Sequence, residues 1–539
     1  SKLDSRMLFT SSQRVWKTKD GGRTWKALSG DLTRHAPETM EKSGGPITGD
    51  MNGPEVYGVI FSIGPSKVDT NVIWTGSDDG MVQVTRNSGA TWTNVTPKDM
   101  PDFGRVSQID ASKFSAGVAY ISVRKPLLND VSPYIFKTSD FGKTWTKIVN
   151  GIRADAYVHA VREDPNRKGL LYAATQHGVY ISYDDGANWD DLALNMPDVP
   201  VSDLIVMDNE LAIATHGRGF WVLDNIGPLR QATPEVQAAD AYLYTPPPAI
   251  RSGLPVAITY KLNSVPKRLE LSILDSAGGV MRSFMPDTAR PDSTRPPAGG
   301  GRRGGAAPPL PKAIGFNRFT WDLRTPPIES FPGMILWGAG TNGPVVPPGK
   351  YTVRVIADGK TMTAPLVVKR NPLLPDVTDA DLRAQYAFGK KVRDKATEAN
   401  NAVIAIRRVR DQLADRMKKA ADDAALKEKG ATLSTNTTAV EQSVYQTKNQ
   451  SGQDPLNFPI KVNNRIANLL SMSERGDGPP NQSMPDIYNI LTTELRGYTT
   501  KLDAIWKTDL VAVNKELARL KLPPLDPNCA KAEGCTAVP

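Results

Sequence analysis

Cysteine and histidine are scarce in this chain of 539 residues, which holds two Cys and four His. His35, His159, His177 and His216 are scattered, and both thiols lie far from them at the C-terminal end. Neither type can therefore supply the clustered nitrogen and sulfur ligands of a structural zinc site, and no His-Glu-x-x-His occurs. A Gly-rich phosphate loop and a Gly-x-Ser-x-Gly nucleophile elbow are missing too. No metal and no cofactor is expected. No run approaches the roughly 18–20 consecutive apolar residues of a membrane-spanning helix, so no membrane span is expected. Charge of one sign is not in large excess: the formal balance is +9 over the whole chain, too dilute to make nucleic acid the partner.

What is present is a globular composition, 40% apolar and 23% charged, which excludes a chain disordered or fibrous throughout. Its length predicts about three or four domains. Cys529 and Cys535 stand in Asn-Cys-Ala-Lys-Ala-Glu-Gly-Cys, a spacing that a small disulfide loop can close, and such a staple points to an extracytoplasmic protein. The chain begins Ser1-Lys2-Leu3-Asp4, so a processed or trimmed N-terminus is expected.

The first 225 residues repeat. Thr18-Lys-Asp20-Gly-Gly-Arg-Thr-Trp25, Thr85-Arg-Asn87-Ser-Gly-Ala-Thr-Trp92, Thr138-Ser-Asp140-Phe-Gly-Lys-Thr-Trp145 and Ser182-Tyr-Asp184-Asp-Gly-Ala-Asn-Trp189 share one pattern, [Ser/Thr]-x-[Asp/Asn]-x-Gly-x-[Thr/Asn]-Trp. Before each box, alternating apolar runs joined by a polar turn also repeat, as in Leu171-Tyr-Ala-Ala-Thr-Gln-His-Gly-Val-Tyr-Ile181. This pattern predicts one four-stranded blade per repeat. Leu211 to Leu223 has the same form with no box after it, and reads as a last blade. Within the box, Asp or Asn accepts backbone N–H bonds, Gly supplies positive φ, and Ser or Thr adds a hydroxyl bond. The Trp is expected to pack between strands and hold the turn of a blade. These residues are structural.

These segments are Asp-box, or BNR, repeats. They resemble the propeller repeats of sialidases, tandem-propeller xyloglucan hydrolases, sortilin-type receptors and photosystem II assembly factors. The stretch from Pro165 to Asp224 resembles large exported bacterial BNR-repeat proteins, many of them named glycosyl hydrolases. About five blade equivalents are present and the first opens mid-blade at Met7-Leu-Phe-Thr. The expectation is therefore a partial ring, the C-terminal portion of a longer precursor whose remaining blades come from another fragment.

The whole reads as a multidomain, mainly β chain. Residues 1–228 form the Asp-box β-propeller, and 240–372 an immunoglobulin-like β-sandwich with a disordered insert at 285–312. An antiparallel α-helical bundle occupies 376–525, and 526–539 is a tail with the disulfide. The sandwich order, Leu271 to Asp275, then Gly315 to Asp322, then Pro348 to Val353, resembles the domain of flagellar hook-capping proteins. In the bundle, Thr378-Asp-Ala-Asp381 predicts a capping box before a helix running to about residue 421. Further helices are expected at about 424–447, around 462–470, and from a cap at Ser483.

No catalytic pair can be assigned. A glycosidase needs two carboxylates about 5 Å or 6.5–9.5 Å apart, whereas the visible Asp residues are mostly box or turn residues. Asp-Asp-Gly at 78–80 and 184–186 lacks an EF-hand ligand series and reads as turn. Binding groups are expected at the propeller's mouth, at the ends of inner strands around residues 56–63, 106–109, 157–161 and 201–206: Glu55, Arg105, Tyr157, His159 and Asp203, with His216, Arg218 and Trp221 from the last strand pair. The function expected is a non-catalytic binding or scaffold protein that recognises a glycan or a protein partner, and that also meets its own N-terminal part or another subunit. The alternative is a glycoside hydrolase whose site a missing N-terminal part completes.

Overall fold

The computed structural model describes residues 1–41, 57–286 and 309–529, and the chain divides into two compact units, Ser1–Ala232 and Thr233–Pro539.

The first unit is built of five antiparallel meanders, each in sequential strand order. The first sheet joins β1 (Leu8–Ser11), β2 (Val15–Thr18) and β3 (Lys26–Ala27). The second joins β4 (Ile60–Pro65), β5 (Ile73–Ser77), β6 (Val82–Thr85) and β7 (Thr93–Asn94). The third joins β8 (Arg105–Ala111), β9 (Ala119–Lys125), β10 (Asp130–Thr138) and β11 (Thr146–Lys147). The fourth joins β12 (Val158–Glu163), β13 (Leu171–Thr175), β14 (Gly178–Ser182) and β15 (Asp190–Asp191). The fifth has β16 (Val201–Val206), β17 (Leu211–Thr215) and β18 (Phe220–Leu223).

Each sheet stacks on the next through its own apolar cluster, which makes the unit propeller-like. Val15 and Ile60 join the first sheet to the second, Trp74 and Val106 the second to the third, Tyr120 and Val161 the third to the fourth, and Tyr172 and Leu204 the fourth to the fifth. Strands β5 and β13 are buried at every residue, because both faces meet a neighbour, and their sequences are correspondingly unbroken apolar or small runs. Outer strands are two exposed residues long, too short to offer an edge for pairing. Among the described residues no apolar cluster joins the fifth sheet back to the first.

The boxes form the turns between third and fourth strands. In the first, Asp20 Oδ1 accepts the Thr24 N–H at 3.0 Å and Thr18 Oγ1 at 2.7 Å, and the third repeats this with Asp140 and Thr144. The hydroxyl and N–H donors of Thr24 hold the Asp20 carboxyl well below the usual carboxylate range, and those of Thr144 bring Asp140 to about 2. The tryptophans do more than hold their own hairpins. Trp145 donates its indole N–H to the Val95 carbonyl at 2.6 Å, and Trp189 donates to Ile148 at 2.9 Å, so each fastens its sheet to the one before.

After α1 (Gly227–Gln231), the second unit opens with α2 (Pro234–Ala238). Its strands are β19 (Ala241–Leu243), β20 (Ala249–Ile250), β21 (Val256–Leu262), β22 (Leu269–Leu274), β23 (Val280–Phe284), β24 (Gly315–Trp321), β25 (Gly349–Ala357) and β26 (Lys360–Lys369). They make a three-stranded sheet, β19-β21-β24, and a five-stranded one, β20-β26-β25-β22-β23. Alternate residues of both, including Ile258, Phe319, Leu271 and Val353, share one core. Leu310 is buried in it and Pro311 accepts from Tyr260, so the C-terminal end of the insert expected at 285–312 is packed chain; residues 287–308 lie outside the described residues.

The helices are α3 (Asp379–Lys419), α4 (Ala424–Val444), α5 (Val462–Ser473), α6 (Ser483–Ile505) and, beyond a π-helical turn, α7 (Val511–Arg519). The Thr378–Asp381 capping box is formed in full. Ser483 does not cap α6; its hydroxyl donates to Asn481, whose side-chain oxygen also accepts the Met484 N–H at 3.2 Å. Cys529 is buried and disulfide-bonded, and Cys535 lies outside the described residues.

Candidate functional site

The inner strands of four sheets carry the same irregularity. Between residues 60 and 62 of β4, 106 and 108 of β8, 158 and 160 of β12, and 201 and 203 of β16, the register with the next strand slips by one. Phe61, Ser107, His159 and Ser202 are therefore the extra residues of four β-bulges at equivalent places. A bulge re-aims one side chain while leaving the flanking ladder intact. All four lie at the end of the sheets where inner strands begin and where second strands turn into third strands.

Around this end the third and fourth sheets build a cationic and aromatic cluster. Arg105 and Arg124 are direct cross-strand partners on β8 and β9, an arrangement of like charges that destabilises a sheet. Among the described residues neither makes an ion pair with a carboxylate. Arg105 instead lies over the Phe61 ring, 4.8 Å from its centroid. Arg124 Nη1 donates to His159 Nδ1 at 2.9 Å. A guanidinium can only donate, so Nδ1 accepts and the His159 proton sits on Nε2, which faces Gln176 Oε1 at 3.5 Å. Burial, with the Arg124 charge added to it, lowers His159 to about 4, and burial together with Arg105 lowers Arg124. The Tyr157 ring completes the group, 5.1 Å from that of His159.

The carboxylates at this end include those of the turn after β5, and Asp155 and Asp198, which pair with His177 and Arg153. Asp78 Oδ1 accepts the Val59 N–H at 2.8 Å and Asp79 Oδ2 the Arg34 N–H at 2.9 Å. Burial raises the Asp78 pKa. Both are thus engaged in holding loops. Elsewhere, a concavity of about 430 Å³ between the third and fourth boxes includes Asp184 and Asp185. There Asp184 accepts from Ser182 and Asn188, and Asp185 from Tyr120 and Lys137.

Of the residues expected from sequence, Arg105, Tyr157 and His159 come together, and His216 lies within electrostatic reach of His159. Arg218 is exposed in the β17–β18 turn. Trp221 packs against the core of the fourth and fifth sheets and donates to the Arg218 carbonyl at 3.2 Å. Asp203 accepts from Arg162 at 3.1 Å and from the Leu204 N–H, so it belongs to the side of the fifth sheet and stands apart from the cluster. Glu55 lies outside the described residues. Phe61, Arg124 and Gln176 were missed. Arg124 was findable, because pairing the β8 and β9 runs across their turn sets it opposite Arg105; the bulge that positions Phe61 leaves no mark in the sequence.

No protein-family model matches the chain, and neither does any curated protein sequence. Solved structures do. YCF48 bound to D1 peptide is 16% identical, with 48% of this chain and 86% of that chain covered and a TM-score of 0.23. The GH74 xyloglucanase from Xanthomonas campestris is 16% identical over 67% of this chain and 62% of its own, with a TM-score of 0.31. PorZ, a surface component of the type-IX secretion system of Porphyromonas gingivalis, is 12% identical over 68% of this chain and 58% of its own, with a TM-score of 0.23. These are β-propeller proteins. At such TM-scores the propeller-like description rests on the sheet order and stacking given above.

Proposed function

We propose that the chain is a non-catalytic, extracytoplasmic binding or scaffold protein of the exported Asp-box type, and that the mouth of its propeller-like unit takes a carboxylate-bearing group of a glycan or protein partner. The observation that carries this reading is the Arg105–Arg124 pair. Two guanidiniums on paired strand positions, each acting on the other's charge and neither ion-paired to a carboxylate among the described residues, repel one another, and an anion bound near both relieves that repulsion while gaining charge-assisted bonds. Tyr157, Phe61 and the neutral His159 supply flat surface alongside, as sugar rings and peptide side chains require. The second unit, with its immunoglobulin-like sandwich and helices, serves as the attachment to a larger assembly.

Titration calorimetry with an oligogalacturonate, a hexaglutamate peptide and a neutral xyloglucan oligosaccharide tests this. The anionic probes are expected to bind, Arg105→Ala to weaken them by about tenfold or more, and the preferred anion to tell glycan from protein. Equal binding of the neutral sugar, or binding unaffected by Arg105→Ala, refutes it. The hydrolase alternative draws support from the raised pKa of Asp78. Turnover of any of these sugars that Asp78→Asn abolishes would establish it in place of the binding reading.

A further inference from the structure

Consecutive sheets of the first unit are joined by one repeated contact. Trp92 donates its indole N–H to Leu28 O at 3.0 Å, Trp145 to Val95 O at 2.6 Å, and Trp189 to Ile148 O at 2.9 Å. The acceptor is each time the residue just after the outer strand of the preceding sheet, three positions beyond that sheet's own box tryptophan. The box glycine closes on the same residue. A Cβ on Gly89, Gly142 or Gly186 would come within 2.8 Å of Leu28, 2.6 Å of Val95 and 2.4 Å of Ile148. A branched apolar residue in the pattern Trp-x-x-Leu/Val/Ile is thus seated between a glycine and a tryptophan of the next sheet.

The first box has the seat without its occupant. Trp25 is 41% exposed and turns its indole back to its own turn, onto Gly22 O at 3.1 Å. Among the described residues, only the Trp25 ring itself comes within 4 Å of a Cβ built on Gly22. The same face of the sheet is bare further in. By register, Leu8 and Thr10 correspond to Leu171 and Ala173. The latter two are buried against the third sheet, whereas Leu8 and Thr10 are exposed.

The fifth sheet repeats this at its opposite face. Phe220 and Val222 hold the register positions of Val179 and Ile181. Those are each 2% exposed beneath the fifth sheet, while Phe220 and Val222 are 86% and 58% exposed. Asp203 holds the position of Ser62 and Gln108, whose side-chain oxygens accept the N–H groups of Ile109 at 2.9 Å and Val161 at 3.0 Å on the next inner strand.

A second copy of the chain can set Phe220 and Val222 against Leu8 and Thr10 but has no residue of the pattern left for Trp25. Leu28, Val95 and Ile148 are already seated, and the fourth residue of the pattern, Leu192, packs into the core between the fourth and fifth sheets. We infer that the Gly22–Trp25 face is a docking site for the outer strand of an additional Asp-box sheet, carrying Trp-x-x-Leu/Val/Ile and contributed by polypeptide other than these five sheets. The inference stands on the repeated contact between sheets and is independent of what the mouth binds.

The probe is a peptide of residues 143–151, Lys-Thr-Trp-Thr-Lys-Ile-Val-Asn-Gly, with photo-leucine in place of Ile148, irradiated with the full chain and mapped by mass spectrometry. Adducts are expected on residues 7–11 and 21–25. Trp25→Ala, and separately Leu8→Asp, which leaves the box intact, should each lower their yield about tenfold or more. Adducts only elsewhere, no adduct at millimolar peptide, or a yield that neither variant changes would overturn the inference. So would a concentration-dependent dimer of the chain that Trp25→Ala dissolves, since the face would then belong to a second copy.

Discussion

Replacing Trp189 by Phe should cost far more than the same change at Trp25, although the sequence gives both residues the same place in the same motif. Trp189 is 3% exposed, and its indole supplies the donor on Ile148 O from the neighbouring sheet. Phe keeps an aromatic ring but leaves that buried carbonyl without its indole partner, a loss of about 1–3 kcal/mol. The smaller ring also leaves a void among Ile148, Ile152 and Leu171, adding on the order of 1 kcal/mol. Together these come to roughly 2–4 kcal/mol, against a total stability of about 5–15 kcal/mol. For a unit of this size, about 2–4 °C is lost per kcal/mol, so calorimetry should show the first unit's transition lowered by roughly 5–15 °C. Trp25 bonds only within its own turn and is 41% exposed, so Trp25→Phe should stay within about 0.5 kcal/mol. Hydrogen exchange localises the effect: amides of β11 and β15 should lose protection in Trp189→Phe, and those of β1 and β2 should be unchanged in Trp25→Phe. Equal shifts in the two variants would refute the assignment of the tryptophans to contacts between sheets.

The Asp140 carboxyl, held at about 2 by the Thr144 N–H and hydroxyl, lies below its ordinary value in the folded chain, so its contribution is complete above about pH 4 and is lost as pH falls through about 2. Exchange protection of residues 138–147 should fall over that window in the parent and stay flat in Asp140→Asn, which folds as the second box does with Asn87 accepting the Thr91 N–H at 2.9 Å. Gly186→Ala should destabilise the fourth sheet by about 2 kcal/mol or more in urea unfolding, since its Cβ would meet Ile148 Cδ1 at 2.4 Å and its φ is +90°; Gly253→Ala, with a similar positive φ and open space around it, should cost less. Arg251, 4% exposed, pairs with Asp477 and donates to Gln385 Oε1 at 2.6 Å. Arg251→Ala leaves Asp477 unpaired and should lower the second unit's stability by about 3–5 kcal/mol, read as a loss of its thermal transition temperature.

The recurrence of the boxes made the sheets legible, because a turn that needs an acceptor, a positive φ and a ring at fixed spacing writes all three into adjacent residues. The same held for α3, whose capping box and apolar stripe are local. What the tryptophans touch was not legible, since Leu28, Val95 and Ile148 lie 41 to 64 residues away from their indoles and only stacking brings them there. The site was half visible. Arg105, Tyr157 and His159 sit at strand ends that alternation predicts, but Asp203 and Trp221 sit at similar strand ends and turn to sheet contacts instead. Pattern places a residue along a strand; the neighbouring sheet decides which way it is used.

The four bulges give the mouth a property that regular strands lack. Residues in register are chosen by the ladder and by the sheets on either side, so a change at Val158 or Ala160 disturbs packing. The extra residue of each bulge has no ladder partner and is tied instead by its side chain: Phe61 lies under Arg105, Ser107 reaches Ser122 and the Val158 carbonyl, and His159 accepts from Arg124. On the proposed binding reading, residues 61, 107, 159 and 202 are the positions to randomise in a search for new binding, at the cost, for Phe61, Ser107 and His159, of the contacts they make with neighbouring sheets.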